Sequence, residues 1–247
     1  MDRLIYTAMT GASHVLQQQA TVSQNLANTN TPGFRAAIDT FRAVPVVGQG
    51  LPTRTFVVDA TAGSDFSQGV LQQTGRKLDV AVQGSGWIAV QTADGSEAYT
   101  RNGSFQITPE GVLQTRSGLN VMGDGGPITI PPNTDVTIGT DGTISTVPTG
   151  AVPTPVVPVD RIRLVNPPDA QMVRGSDGLF RTSDGSTATA DANVMVVAGN
   201  LESSNVNTVE AMVDMISLAR MYDMQMKVLQ SADNNAKQAG TILNMNA

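Results

Sequence analysis

The stretch from Asn207 to Met245 constrains this chain more than any other part of it. It holds no proline, and its one glycine is Gly240. Apolar or small residues recur at Met212, Met215, Ala219, Tyr222, Met226, Leu229, Ala236, Gly240 and Leu243, in steps of three and four, with only Asp233 out of pattern. Ala211, Leu218, Ala232 and Ala239 widen the stripe into one broad helical face. Asn207 can cap the start, with Glu210 three residues on able to reach back. Asp223 to Lys227 and Asp233 to Lys237 are acid-to-base pairs one helical turn apart. A helix of this length runs roughly 60 Å at about 1.5 Å per residue. That is longer than one small core can cover, so it needs a partner.

Residues 2–28 predict a second long helix. Ile5, Ala8, Ala12, Val15, Val22 and Leu26 keep the same 3-4 spacing, interrupted by Gln19, while Met9 and Leu16 broaden the face. With a coiled-coil-like period at both ends of the chain, the economical arrangement pairs the two helices. The alternative packs each helix separately on the middle of the chain. Pro32 forbids helix at Thr31 and Gly33 supplies a turn, so the first helix ends there.

Residues 35–76 are weakly patterned and broken by Pro45, Gly48, Gly50, Pro52 and Gly63, which predicts an extended connector with one short strand near Arg54 to Val58. From Leu78 the period becomes two. Short apolar runs around Val80, Trp87 to Gln91, Glu97 to Arg101, Ser104 to Thr108 and Val112 to Thr115 are separated by Gly-rich turns. Five Asp-Gly pairs, at Asp94, Asp124, Asp141, Asp177 and Asp184, punctuate this region. Further strands are expected at Arg161 to Val165, Gly178 to Thr182 and Val194 to Ala198. The expected class is α+β: a helical module from 1–34 and 199–247, a connector at 35–76, and an antiparallel β domain at 77–198. No strand-helix-strand alternation supports a dinucleotide fold.

The composition points away from chemistry. Charged residues make up 15% and aromatics 4%, and the net charge is −6 with no basic run, so nucleic acid is not an expected partner. Absent cysteine removes thiolate catalysis, disulfides and thiolate-bound metal. No apolar run has the length of a membrane span, and no basic stretch followed by an apolar core predicts a cleavable export signal. The single histidine, His14, sits beside the first apolar stripe and reads as a surface or interface residue. The Asp-Gly pairs lack the spacing of a calcium loop and suit hairpin turns. Gly84-Ser85-Gly86 leads into a strand, where a phosphate cradle would need a helix N-terminus. No catalytic residue, cofactor, metal or small-molecule substrate is therefore expected.

Three motifs in order carry a family resemblance. Asn25-Leu26-Ala27-Asn28 with Thr31-Pro32-Gly33-Phe34-Arg35 resembles the signature closing the first helix of flagellar basal-body rod and hook proteins. Leu78 to Val82, Gly84-x-Gly86, Tyr99-Thr100-Arg101-x-Gly103-x-Phe105 and Gly111-x-Leu113 resemble that family's central pattern. Ser204-Asn205-Val206-Asn207, Arg220-x-Tyr222 and Lys227 resemble its closing helix. Trp87 replaces a usual Phe, and Arg35 a common Lys. Met1 to Met9 and Met224 to Val228 look most like proximal-rod members.

The resemblance implies a structural subunit of the rod that crosses the periplasmic space. Such a subunit is exported unprocessed through the flagellar type III apparatus. It polymerises helically with copies of itself and neighbouring rod proteins, forming drive shaft and export channel. The implied assembly residues on the first helix and its turn are Ile5, Ala8, Met9, Ala12, Val15, Leu16, Val22, Asn25, Leu26, Asn28, Pro32, Gly33 and Phe34. Those near the other end are Asn205, Met212, Met215, Ala219, Tyr222, Met226, Leu229, Ala236 and Leu243. The alternatives are a distal rod or hook protein of the same family, or a β-domain binding module dimerised by its helices.

Overall fold

Helix α1 spans Asp2–Ala27 and helix α2 spans Thr208–Asn244 in the computed structural model, which describes residues 2–45, 55–149 and 155–244. The Asn207 cap forms as its sequence predicts, its Oδ1 accepting from the Val209 and Glu210 amides at 3.1 and 3.4 Å, while the Glu210 carboxylate makes no bond back to the Asn207 amide. Of the two expected turn-spaced ion pairs, Asp233–Lys237 closes at 2.7 Å. The described part of the helix runs to Asn244, and Met245 lies outside the described residues.

The two helices lie in one unit, built from Met1–Asn28, Ala37–Asp65 and Val206–Ala247. Gly11 leaves room for the Gln225 side chain, whose Nε2 would stand 3.3 Å from a β-carbon there. Further along α1, Gln18, Thr21 and Val22 share a groove with Asp214, Ser217 and Leu218. Rising numbers on α1 thus face falling numbers on α2, and the helices run antiparallel. On α1 the covered positions are the expected ones: Ala8, Ala12 and Val15 are buried, and Ile5, Val22 and Leu26 are half-buried.

On α2 the covered line is Ala211, Met215, Leu218, Tyr222, Gln225, Leu229 and Ala232, again in steps of three and four. Met212, Ala219 and Ala236 of the expected stripe are exposed. Residues that the sequence placed on the flank, Ala211, Leu218 and Ala232, do the packing. An all-round scatter of methionine and alanine gives α2 more apolar surface than one neighbour can cover, so periodicity alone leaves the seam free to rotate by one position.

Residues 35–76 do not form a plain connector. Strand β1, Ala37–Pro45, pairs antiparallel with β2, Thr55–Ser64, in a long two-stranded ribbon that belongs to the helical unit. A register shift between Thr40 and Phe41 breaks the alternation in β1, which hides the strand from a period-two reading. The expected short strand becomes a ten-residue one, and Arg54 lies outside the described residues. Asn25 fastens the ribbon to α1 by accepting from the Ala37 amide at 2.8 Å and donating to its carbonyl at 2.9 Å. The His14 ring meets the Phe41 ring edge-on at 5.4 Å.

The second unit consists of Thr29–Ala36 and Phe66–Asn205. In chain order its strands are β3 (Leu71–Gln73), β4 (Val80–Gln83), β5 (Trp87–Gln91), β6 (Glu97–Thr100), β7 (Phe105–Ile107) and β8 (Leu113–Thr115). β9 (Asn120–Gly123), β10 (Gly126–Pro127), β11 (Thr134–Ile138), β12 (Thr143–Pro148), β13 (Val157–Arg161) and β14 (Leu164–Val165) follow. The series ends with β15 (Met172–Arg174), β16 (Phe180–Thr182), β17 (Met195–Ala198) and β18 (Asn200–Glu202).

The largest sheet has the order β15-β16-β6-β5-β9-β8-β7, with β10 on β9 and β14 on β5. β11-β12-β13 form a second sheet, and β17-β4 and β18-β3 are two-stranded ribbons. Every pairing is antiparallel, as expected. The unit is wider than the expected 77–198, because β3 and β18 pair beyond both ends of that range. Its main core joins Val80, Val82, Ile88, Val90, Phe105, Leu113, Ile128, Ile144 and Val196. Trp87 anchors a second cluster, tilted against Phe180 at 4.6 Å and edge-on to Phe66 at 6.0 Å.

Candidate assembly interface

The helical unit leaves a great deal of apolar surface uncovered. On α1 the exposed large side chains are Tyr6, Met9 and Leu16. On α2 they are Val209, Met212, Val213, Ile216, Met221, Met224 and Val228, with Ile216 56% and Met224 58% exposed. These positions lie beside the covered line, so each helix carries one stripe against the chain itself and a second one open. An uncovered apolar stripe is in general a candidate contact surface for other protein. Met9, Leu16, Met212, Ala219 and Ala236 of the expected set are exposed, and so are Tyr6, Val213, Ile216, Met224 and Val228, which that set did not include. The signal for the second group was present as apolar residues lying outside the main stripe. Met226 is half-buried, and of Leu243 only the helical backbone is described.

The remaining expected residues are occupied by the chain's own contacts. Asn25 holds the ribbon, and the Asn28 Nδ2 donates back to the Gln24 carbonyl at 2.9 Å where α1 ends. In the β unit, Pro32 is half-buried, while Gly33 and Phe34 are buried. The Arg174 guanidinium stacks over the Phe34 ring at 4.4 Å and donates to the Arg35 carbonyl at 3.2 Å. The Asn205 Oδ1 accepts from the Ala36 amide at 2.7 Å, and its Nδ2 donates to the Ser67 carbonyl at 3.1 Å.

At the centre of these contacts lies a buried charge cluster. Arg35, Arg101 and Glu202 expose only 1%, 4% and 1% of their side chains. One carboxylate serves two guanidiniums: Glu202 Oε1 lies 2.7 Å from Arg35 Nη1, and Oε2 accepts from Arg101 Nη1 at 3.2 Å. The Arg35 contact is an ion pair by distance without hydrogen-bond alignment. Arg101 also donates to the Val82 and Gly84 carbonyls at 3.3 and 2.7 Å. Glu202 further accepts the Gly69 amide on Oε1 at 2.9 Å and the Gly33 amide on its backbone carbonyl at 2.8 Å.

Burial pushes the Arg101 guanidinium down to about 10, with the Glu202 carboxylate opposing that shift and Arg35 adding to it. Arg101 stays protonated at neutral pH. Two glycines make the approach of the strands possible. Gly33 has φ +68°, and a β-carbon on it would stand 2.3 Å from the Arg101 carbonyl carbon. On Gly69 a β-carbon would stand 1.9 Å from the Ser203 carbonyl oxygen.

Arg35 and Arg101 lie inside the motifs singled out from sequence, but Glu202 falls in the 199–247 stretch assigned to the helical module, and no motif picks it out. Nothing near either arginine in sequence names the acid that neutralises it.

The Asp-Gly pairs behave as turns. The Asp94 carboxylate accepts from the Thr92 and Ser96 hydroxyls and from the Ser96 amide. These bonds hold it down at about 2. Asp141, Asp177 and Asp184 are lowered by similar bonds to Thr143, Arg181 and Ser186. Among the described residues no group of three or more His, Asp or Glu comes together as a metal set, and no helix is long and apolar enough to cross a membrane.

Three family models match the chain in order. The "Flagella basal body rod protein" family covers residues 5–35, the "Flagellar hook protein FlgE/F/G D1 domain" covers 81–146, and the "Flagellar basal body rod FlgEFG protein C-terminal" family covers 197–242. The flagellar basal-body rod protein FlgF of Escherichia coli (strain K12) is 51% identical over 99% of this chain and its own full length. Its namesake from Salmonella typhimurium (strain LT2) is 49% identical over the same shares. The FlgF protein of Caulobacter vibrioides is 34% identical, covering 96% of this chain and 95% of its own. A FlgG protein of Buchnera aphidicola is 31% identical over 86% of this chain and 88% of its own.

Proposed function

The chain belongs to the FlgF family of flagellar basal-body rod proteins, and from that premise we propose that it is a non-catalytic, structural subunit of the proximal rod. Its terminal helices pair with each other in a coiled-coil-like manner through Ile5, Ala8, Ala12, Val15, Val22 and Leu26 on one side and Met215, Tyr222 and Leu229 on the other. Their open stripes then contact further copies and neighbouring rod proteins. Interfaces that join unlike faces head to tail build open helical polymers, which suits a shaft that carries torque and surrounds an export channel. Export through the flagellar type III apparatus into the periplasmic space precedes assembly.

One observation carries the reading: the second apolar stripe on α2, with Ile216 and Met224 more than half exposed. Single-chain packing gives these side chains nothing to do. The test is the double substitution Ile216→Asp with Met224→Asp in the full chain. Both positions are exposed, so the stability of the free protein is expected to move by no more than about 0.5 kcal/mol per site. Recovery of the protein in purified basal bodies and swimming motility are both expected to be lost. Normal incorporation of the folded double variant overturns the proposal.

A further inference from the structure

Each of the five Asp-Gly steps sets a backbone amide next to a carboxyl group, the arrangement from which a succinimide ring closes. The glycine nitrogen attacks the aspartate Cγ, an N–Cγ bond replaces the Cγ–OH bond, and the hydroxyl leaves with the amide proton as water. A second water then reopens the ring. Opening at Cγ restores aspartate, while opening at the main-chain carbonyl gives isoaspartate, whose backbone runs through the side chain and is one methylene longer. No oxidant, reductant or enzyme is consumed. The fold decides only whether nitrogen and carboxyl are free to meet.

Four of the five turns tie down both groups. The amides of Gly95, Gly142, Gly178 and Gly185 donate to the Thr92, Gly139, Gly175 and Thr182 carbonyls at 2.9–3.1 Å. The carboxylates of Asp94, Asp141, Asp177 and Asp184 each accept the amide two residues on, at 3.0–3.2 Å. A side chain holds each of them as well: the Ser96, Thr143 and Ser186 hydroxyls and the Arg181 guanidinium. Such bonds favour the carboxylate over the carboxylic acid, and the acid is the form that can lose its hydroxyl as water. With Asp94 held at about 2, that form is roughly 100-fold scarcer than at an ordinary aspartate.

Asp124-Gly125 stands apart. It is the tip of the β9–β10 hairpin, where Gly123 pairs with Gly126 and Met122 with Pro127. Both tip residues are exposed, and a β-carbon on Gly125 would meet nothing within 4 Å. Among the described residues, neither the Asp124 carboxylate nor the Gly125 amide has a hydrogen-bond partner. We infer that Asp124-Gly125 is a site of spontaneous isoaspartate formation, and that the folded β unit shields the other four Asp-Gly steps. Asn102-Gly103 cyclises by the same route with ammonia leaving, but it is enclosed. The Asn102 Oδ1 accepts the Ser104 amide at 3.1 Å, and a β-carbon on Gly103 would stand 1.7 Å from the Val80 carbonyl oxygen.

The modification has a structural consequence. The Val121 carbonyl accepts the Ile128 amide at 3.1 Å, and the Met122 carbonyl accepts the Arg163 amide at 2.8 Å. A longer backbone at the tip disturbs the register of β10 on β9, so the Ile128 amide is the first to lose its partner. The inference concerns the β unit alone and does not rest on which assembly the chain enters.

The test incubates the full chain at about pH 5, folded and in parallel unfolded in guanidinium. Isoaspartate is read by isoaspartyl methyltransferase labelling and peptide mapping. In the unfolded chain all five Asp-Gly steps are expected to react alike. In the folded chain Asp124 is expected to keep most of that rate, while Asp94 falls by roughly 100-fold. Gly125→Ala, for which the tip has room, is expected to remove the Asp124 product. Equal product at all five steps of the folded chain would overturn the proposal. So would an unreacted Asp124 in the folded chain once the unfolded chain has reacted, or product at Asn102 ahead of Asp124.

Discussion

The two units of this chain are held together by different kinds of side chain. The β unit buries Phe105, Leu113, Ile128, Ile144, Ile162 and a series of valines to 0–2% exposure. Each such side chain is worth roughly 1.5–3 kcal/mol when removed from water. In the helical unit the buried residues are Ala8, Ala12, Val15, Ala211 and Ala232 among the side chains described. Alanine contributes little more than one methyl group, about 0.8 kcal/mol per carbon on the same scale. Small residues let two helices approach closely, but they supply little stabilisation within one chain. The helical unit leaves several of its large residues, Ile216, Met224 and Val228 among them, on the outside. One unit covers its apolar surface itself, and the other leaves a stripe of it open.

That contrast can be broken most directly in the β core. Leu113→Ala is expected to cost about 2–5 kcal/mol, because the side chain is fully buried among rigid strands and its loss leaves a cavity. Denaturant unfolding followed by the fluorescence of Trp87, which lies in the same unit, measures it. A cost under about 1 kcal/mol would mean that the β unit is as loosely packed as the helices.

A smaller effect sharpens the other side of the comparison. Asn207→Ala removes the cap that satisfies the Val209 and Glu210 amides, at a cost of about 1 kcal/mol. The loss should appear as faster amide exchange in the first turns of α2, with the β unit unchanged. Equal loosening of both units would show them to be one cooperative block.

The smallest expected effect concerns acid. The Asp94 carboxylate is held at about 2 by the Thr92 and Ser96 hydroxyls, Asp141 is lowered by the Thr143 hydroxyl, Asp177 by the Arg181 guanidinium, and Asp184 by the Ser186 amide and hydroxyl. A carboxylate whose folded value lies below its unfolded one stabilises the fold above the unfolded value, near 4, and loses that contribution as pH falls through the folded value. The hairpins of the β unit are therefore expected to weaken between about pH 4 and about pH 2. All four acids belong to that unit, so α2 should respond less. Carboxyl-carbon NMR titration checks the premise: a midpoint for Asp94 near 4 would remove the effect.

How much of this was legible beforehand depends on the range of the interactions involved. Both long helices, the Asn207 cap, the Asp-Gly turns and the antiparallel character of the middle were all written locally. Each depends on residues a few positions apart, which is the range over which periodicity and turn chemistry act. The seam of α2 was only partly legible. The 3-4 spacing identified a helix but could not choose between Met212, Ala219 and Ala236 and their neighbours Ala211, Leu218 and Ala232, because both lines are apolar. One strand of the ribbon was expected, near Val58, but β1 and its pairing with β2 were missed, because the register shift at Thr40/Phe41 disrupts the alternation along β1.

What the sequence determined alone, then, was the inventory: two amphipathic helices, a strand-rich middle, an absence of cysteine, and a set of motifs that place the chain in its family. Tertiary structure alone decided which apolar stripe is covered and which is open, since that depends on what the fold brings alongside. It alone also brought Arg35, Arg101 and Glu202 together. A buried charge needs a partner, but the partner's position along the chain leaves no periodic trace. Only folding the intervening strands puts one carboxylate within 2.7 and 3.2 Å of two guanidiniums from distant segments.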